Sequence, residues 1–152
     1  LVLVLVFFAV STAYLGFLAD EQVGVAVACN DSPATHPQHV GPALLAILDG
    51  RDPADATRYY GLRQKAQAVA GEYESLRGIQ TATVEQDSGN VRIKLENALE
   101  TQEVTAMPKT ADSEDLRYYT VGESGARFPV EFERTEEGMD LYFQRWRLHR
   151  EE

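Results

Sequence analysis

The sequence predicts an α+β chain in which a strand pair and a helix precede a linker helix and a small antiparallel β-barrel. Three observations support this fold class. The first 18 residues are uncharged and rich in Val, residues 40–70 carry two helical patterns, and apolar side chains alternate with period two from residue 71 onward. We therefore divide the chain into residues 1–50, a linker helix over 51–70 and a β domain over 71–152.

The apolar start favours two buried strands joined by a polar turn. The first strand covers residues 2–14 or 2–17, Asp20-Glu21-Gln22 forms the turn, and residues 24–28 form the second strand. The alternative is a membrane segment over residues 1–18, because a span needs about 20 apolar residues. No positive charge flanks this segment, which favours a cytoplasmic location over membrane anchoring. Residue 1 is Leu and not Met, so we expect a fragment of a longer protein, a processed form, or a start site assigned in the wrong place.

Two helices are expected next. The first runs over residues 40–48, with Pro42 in its first turn and Gly50 as a stop signal. The second begins after the N-cap candidate Asp52 and continues to Gly71, forming the linker helix.

The β domain is expected to contain about seven short strands. These include one at Tyr73 and six over residues 79–86, 91–97, 102–108, 116–122, 127–134 and 139–149. A barrel of this size either fills with side chains or holds one small ligand. The aromatic residues expected to fill it are Tyr73, Tyr118, Phe128, Phe132 and Trp146.

Composition excludes several classes of function. With 24 acidic and 14 basic residues, the net charge of −10 argues against a nucleic-acid partner. The single cysteine, Cys29, forms no internal disulfide and is interpreted as a small buried apolar residue rather than a catalytic thiol. We expect no metal site and no cofactor.

Several catalytic constellations are possible on paper. Ser32, His36 or His39, and Asp31 supply the residue types of a hydrolytic triad, but they share one Pro-rich loop that gives no rigid geometry. Pairs of carboxylates on one strand face, such as Glu72 with Glu74 and Glu131 with Glu133, are interpreted as solvated surface acids.

A basic cluster near the end of the chain has two interpretations. The cluster consists of Arg145, Arg147, His149 and Arg150. Arg145, Arg147 and His149 share one face of the predicted last strand, whereas Trp146 and Leu148 point inward. The cluster could bind an anion. We prefer cross-strand pairing with a set of acids on the preceding hairpin, namely Glu131, Glu133, Glu136 and Glu137.

The order of the segments resembles a known family. Residues 11–18 and 24–30 resemble the last strand pair of penicillin-binding-protein and class C β-lactamase type serine hydrolases, and the helix over 40–48 resembles their terminal helix. Gly71-Glu72-Tyr73 and residues 140–148 are similar to the start and the last strand of the lipocalin-like β domain carried by archaeal peptidases of this group.

The resemblance implies catalytic motifs that this chain lacks. No serine is followed by Lys in a Ser-x-x-Lys motif, and no tyrosine begins a Tyr-x-Asn motif. His39-Val40-Gly41 and Lys109-Thr110-Ala111 only imitate the third motif and stand in the wrong places. We therefore assign no catalytic residue, and the chain is no enzyme unless missing upstream sequence supplies the motifs.

The resemblance thus implies a non-catalytic accessory or interaction domain of a β-lactamase-related serine hydrolase. Its expected partners are a catalytic serine hydrolase domain or further copies of itself. The alternative is a stand-alone barrel that binds a small ligand and is tethered to a membrane through residues 1–18.

Overall fold

The structure is a computed structural model that describes residues 2–8, 11–30 and 35–151. The chain forms two compact units, which we call the sheet unit, residues 1–60, and the barrel unit, residues 61–152.

The sheet unit is an antiparallel sheet with a helix packed on it. Strands β1 (Val2–Phe8), β2 (Ser11–Leu18) and β3 (Val23–Cys29) pair in that order. Helix α1 (Pro37–Leu48) lies against β2 and β3. The predicted strand pair was wrong in number, because the first apolar run is divided into β1 and β2 although it carries no turn signal.

Close packing in the sheet unit depends on glycines at Gly16 and Gly41, and most strongly on Gly41. Tyr14 and Leu45 are 3% exposed, and Val25 completes their cluster. A Cβ at Gly41 of α1 would stand 1.9 Å from the ring of Tyr14, so only glycine lets helix and sheet approach this closely. Cys29 lies at the end of β3 and is half-buried, less buried than the interpretation as a small buried apolar residue implied.

Among the described residues, no helix is both long enough and apolar enough to span a lipid bilayer. The membrane interpretation concerned residues 1–18, of which residues 2–8 and 11–18 form strands β1 and β2. Residues 1, 9 and 10 of that stretch lie outside the described residues.

The predicted linker helix is two helices. Helix α2 (Pro53–Ala56) starts at Asp52, whose side chain accepts a hydrogen bond of 2.8 Å from the amide of Ala54. Thr57 then adopts an extended conformation, and its hydroxyl accepts from the amide of Tyr60. This break begins helix α3 (Arg58–Val69).

The barrel unit confirms the predicted small antiparallel barrel. Its eight strands close in the order β10-β11-β4-β5-β6-β7-β8-β9. They are β4 (Gly71–Ser75), β5 (Thr81–Asp87), β6 (Asn90–Glu96), β7 (Thr101–Pro108), β8 (Arg117–Val121), β9 (Arg127–Thr135), β10 (Gly138–Phe143) and β11 (Trp146–Glu151). A short 3-10 turn, Leu76–Gly78, follows β4.

The predicted last strand over residues 139–149 is in fact the hairpin of β10 and β11. The chain turns at Gln144-Arg145, and Phe143 pairs with Trp146. Gln144 has a φ of 54°, a conformation that usually requires Gly or Asn. The turn therefore carries no sequence signal, which explains why seven strands were expected and eight are present.

Aromatic rings fill much of the barrel core. The ring centroid of Phe132 lies 5.9 Å from that of Tyr73 and 5.6 Å from that of Tyr118. These three residues are buried as expected, and Trp146 packs against the core while partly exposed. Phe128 is 48% exposed, so its predicted place in the core was wrong.

Helix α3 covers one end of the barrel, which we call the closed end. A Cβ at Gly89 in the β5–β6 turn would stand 2.9 Å from the Cβ of Leu62. The ammonium group of Lys65 donates to the carbonyl oxygens of Thr110 and Asp112, at 3.1 and 3.0 Å. Contacts to the turns after β5 and β7 therefore hold α3 across this end.

The remaining loops reach the opposite end. Since consecutive strands are antiparallel, successive turns alternate between the two ends. The turns after β4, β6, β8 and β10 project from the end away from α3, which we call the apolar end. These turns cover residues 76–80, 97–100, 122–126 and 144–145.

Candidate interaction surface

Large apolar side chains are exposed at the apolar end of the barrel. Leu99 is 95% exposed and Leu76 is 84% exposed. Within the described part of the barrel unit, the exposed large hydrophobic residues all stand in or beside the turns of this end. They are Leu76, Ile79, Leu99, Val121 and Phe128. Because several large apolar side chains are exposed at the same end, we treat this end as the candidate interaction surface.

A hydrogen-bond network holds two of these turns together. Gln80, which is 3% exposed, accepts at its side-chain oxygen from the amide group of Asn97, at 3.0 Å. The backbone of Gln80 also exchanges hydrogen bonds with Ser75, because its amide donates to the Ser75 hydroxyl and its carbonyl accepts from the Ser75 amide, each at 2.8 Å. The turn that carries Leu76 and Ile79 is therefore tied to the turn that carries Leu99.

Asn97 also shapes its own turn. Its side-chain oxygen accepts from the amides of Leu99 and Glu100, at 2.8 and 3.0 Å. This arrangement is an Asx turn, in which the side chain replaces a backbone acceptor. Leu99 is thus held outward by a fixed backbone.

The 3-10 turn has a constrained backbone. Arg77 and Gly78 both have a φ of 66°, in the left-handed region. A Cβ at Gly78 would stand 2.6 Å from the carboxylate of Glu74. Glycine at this position therefore supports the conformation that projects Leu76 and Ile79.

The β8–β9 turn presents Phe128 in a similar way. The amide of Gly122 donates to the carbonyl of Ala126, and the amide of Gly125 donates to that of Gly122, both at 2.9 Å. A Cβ at Gly122 would stand 2.7 Å from the Phe128 ring. The ring therefore lies against bare backbone and keeps its outer face in solvent.

Charges of both signs surround the apolar side chains. Arg127 lies 4.7 Å from the ring centroid of Tyr119, and Arg145 lies 5.1 Å from that of Trp146. Over the described residues, the charged side chains at this rim form no ion pair with one another or with the rest of the chain. They are Arg77, Arg127, Arg145, Glu100 and Glu123.

The predicted basic cluster at the end of the chain is arranged differently from the expectation. Arg145 lies in the β10–β11 turn, away from Arg147 and His149. These two residues bind Asp140, which was not predicted as a partner: Arg147 Nη2 lies 2.7 Å and His149 Nδ1 lies 2.8 Å from its carboxylate oxygens. We expected these residues to pair with the acids of the preceding hairpin, and that prediction was wrong because their main partner is Asp140.

The Asp140 carboxylate is buried although it lies on the outer face of the barrel. Its side chain is 1% exposed, and Tyr142 also donates to it, at 3.3 Å. Burial alone would raise the pKa of Asp140, but the hydrogen bonds from His149 and Arg147 outweigh burial and lower it. Asp140 was missed because its partners come into register only once the turn at Gln144-Arg145 is known.

A groove of about 890 Å³ runs over the outer face beside this network, and its lining includes Glu72, Glu74 and His149. Glu72 accepts a hydrogen bond from the Thr83 hydroxyl at 2.9 Å, as expected of a surface acid. Among the residues that the structure describes, no set of three His, Cys, Asp or Glu side chains could hold a metal ion.

The residues of the possible hydrolytic triad do not form a described site. Asp31 and Ser32 lie outside the described residues. His36 occupies the N-cap position of α1 without a capping hydrogen bond from its side chain, and the His39 ring stacks on Tyr59 with centroids 4.1 Å apart.

Lys109-Thr110-Ala111, which only resembles the third catalytic motif of the hydrolases, lies in the β7–β8 loop. There the Thr110 hydroxyl donates to Asp115 at 2.9 Å.

Sequence reasoning did not find the apolar end. Leu76 and Leu99 lie outside the predicted strands. The only hint of an exposed apolar surface was therefore that these apolar residues fall in predicted loops. Their common location could not be predicted, because it depends on which turns share an end and on where α3 packs.

Comparison with known proteins identifies one family and one solved structure. Residues 53–149 match the family described as the Pab87 octamerisation domain. The fold is similar to the octameric penicillin-binding protein homologue from Pyrococcus abyssi, with a TM-score of 0.72 and 25% sequence identity. This match covers 91% of the chain and 30% of that protein. No curated protein sequence matches the chain.

These matches confirm the resemblance to an archaeal penicillin-binding-protein homologue at the level of the family.

Proposed function

Because the chain belongs to the Pab87 octamerisation domain family through residues 53–149, we propose that it is a non-catalytic module through which copies of a protein associate. One observation carries the proposal: the exposed large apolar side chains of the described barrel gather at one end, on turns held by hydrogen bonds. Interaction surfaces combine such an apolar centre with a polar rim.

The finer proposal is that this module serves a serine hydrolase of the penicillin-binding-protein type. The likeness to the homologue from Pyrococcus abyssi supports it. Because the sequence has no Ser-x-x-Lys or Tyr-x-Asn motif, this proposal takes the catalytic residues to lie in another part of that protein. In this proposal residues 1–50 belong to the hydrolase fold, residues 51–70 link, and residues 71–152 form a lipocalin-like β domain. The chain supplies no catalytic residue.

A second surface favours a catalytic domain as a further partner. In the sheet unit, α1 exposes Leu44, Ile47 and Leu48, and β2 exposes Leu15 and Phe17. The matched protein is more than three times as long as the part that this chain covers. We assign these apolar surfaces to contact with the remainder of a hydrolase fold.

The test of self-association is the molar mass of the purified chain, measured by light scattering over a wide range of concentrations. We expect masses well above the 16.9 kDa of one chain, rising toward a defined multiple. A mass that stays at 16.9 kDa at every concentration would contradict the proposed function.

A further inference from the structure

We infer that the apolar end of the barrel contacts the same surface on a second copy of this chain, around a two-fold axis. The inference rests on the proposed function and adds the surface, the partner and the symmetry of the contact. Its central residues are Leu76, Ile79 and Leu99, with Phe128 at the side.

The surface suits a protein partner better than a small ligand. Small-molecule sites are concave, whereas Leu76 and Leu99 project from turns and are 84% and 95% exposed. The cavity beside Trp146 and Gln80 has a volume of only about 20 Å³. The open groove of about 890 Å³ on the outer face meets this surface only at Leu76, at the groove's edge. A projecting apolar surface loses its contact with water only when another macromolecule covers it.

The surface is fixed before any partner arrives. The hydrogen bonds of Gln80 and Asn97, together with the left-handed backbone at Gly78, hold the apolar side chains in place. A contact that needs little ordering loses less entropy on association. Turns that are already fixed therefore favour a contact that identical copies make in the same way each time.

The charges at the rim favour a copy of the same surface. In a two-fold contact, residue i of one copy meets residue j of the other, and j meets i. Arg77 and Arg145 can therefore face Glu100 and Glu123 of the partner, while the reciprocal pairs form on the other side. A surface with charges of one sign would repel its own copy.

A two-fold contact also has a geometric consequence. It closes after two copies, because both surfaces are then used. The apolar end alone therefore makes pairs, and any larger assembly needs a second contact surface elsewhere on the chain.

The first experiment compares association constants by sedimentation velocity. The variant Leu76→Asp/Leu99→Asp places charge at the centre of the surface, on two exposed turn residues. The control Ser88→Asp/Ala111→Asp adds the same charge to exposed turns at the closed end. We expect the first variant to lose at least about tenfold in association, whereas the control associates like the wild type.

The outcomes separate the two proposals. If the wild type itself is monomeric, the proposed function fails. If the wild type associates and Leu76→Asp/Leu99→Asp associates equally well, only the present inference is overturned. Circular dichroism of both variants shows whether the barrel has kept its fold.

The second experiment tests the two-fold axis by cross-linking single cysteines. In a Cys29→Ser background, Leu76→Cys and Leu99→Cys are treated with a flexible bis-maleimide, and Glu137→Cys at the closed end serves as the control. We expect covalent dimers from at least one apolar-end variant and none above background from the control. Failure of both apolar-end variants to cross-link, while the chain still associates, would overturn the two-fold contact.

Discussion

Arg150, on the last strand β11, connects the barrel to the end of helix α3. Its guanidinium donates to the carbonyls of Ala68 and Ala70 at the end of α3 and lies 5.5 Å from the ring centroid of Tyr73. Gly71 has a φ of 149°, and a Cβ there would stand 2.6 Å from Arg150. The Gly-x-Tyr sequence at residues 71–73 thus has a structural reason. Gly71 leaves space for the Arg150 side chain, and Tyr73 supplies the ring beside its guanidinium.

We predict that Arg150→Met destabilises the chain by about 2 kcal/mol, because two helix-end carbonyls lose a charged donor. For a chain of this size, 1 kcal/mol lowers the melting temperature by about 2–4 °C. Thermal melting followed by circular dichroism measures the effect. Arg134→Met, at an exposed position of β9, is the matched control. Equal melting temperatures for both variants would contradict this role of Arg150.

Asp140 links stability to pH. Its pKa in the folded chain lies below the ordinary value of 3.8, because His149 and Arg147 donate to its carboxylate. A carboxyl whose pKa is lowered by folding stabilises the fold above its unfolded pKa. This stabilisation is complete above about pH 4 and is lost as the pH falls through the folded pKa.

We predict that Asp140→Asn costs about 1–3 kcal/mol near neutral pH, since the buried amide cannot accept all the hydrogen bonds of the carboxylate. The difference from wild type shrinks as the pH is lowered below about 4. Melting temperatures at pH 7, 5 and 3 measure this. Asp87→Asn, in an exposed ion pair, is the control and should change little. A difference that grows in acid would contradict the assignment.

At the scale of elements, the strands of the barrel could be predicted apart from one turn, whereas the division of the first apolar run and the break between α2 and α3 could not. Alternation at Val91, Ile93 and Leu95 predicted β6, and these side chains are buried in the core. The turn at Gln144-Arg145 has no Gly, Asn or Pro, so β10 and β11 were read as one strand. That error also concealed the contact of Asp140 with its neighbours.

The link between the β4–β5 and β6–β7 turns has a testable consequence. We predict that Asn97→Ala weakens self-association about fivefold to tenfold, which corresponds to about 1–1.4 kcal/mol, while the barrel stays folded. The reason is that the turns of Leu76 and Leu99 lose their connection and must be ordered on association. Sedimentation velocity measures the association constant.

Asn90→Ala, at the closed end, is the matched control for that experiment. An Asn97→Ala chain that associates as strongly as the wild type would show that fixed turns are not needed.

At the scale of the whole molecule, charge opposes association and apolar contact favours it. Each chain carries a net charge of −10, so copies repel one another over about 10 Å at about 0.1 M salt and over longer distances at lower salt. From composition we predict that nucleic acid is not a partner, but composition could not indicate self-association. The apolar end exists only once the barrel has closed and α3 has covered the other end, which no local pattern contains.

We predict that association strengthens as salt rises from about 0.05 M to about 0.5 M, because screening reduces repulsion between acidic copies more than it weakens rim ion pairs. Light scattering at constant protein concentration measures the mean mass. A mean mass that falls as salt is added would mean that ion pairs, rather than the apolar centre, hold the copies together.

The most direct test of the central claim is amide hydrogen exchange of the full chain, compared between dilute and concentrated solutions. Association protects the amides that it covers. We predict that concentration-dependent protection falls on residues 76–80, 97–100, 122–126 and 144–146, at the apolar end. Protection confined to the closed end or to the outer strand faces, or the same exchange at both concentrations, would contradict the account.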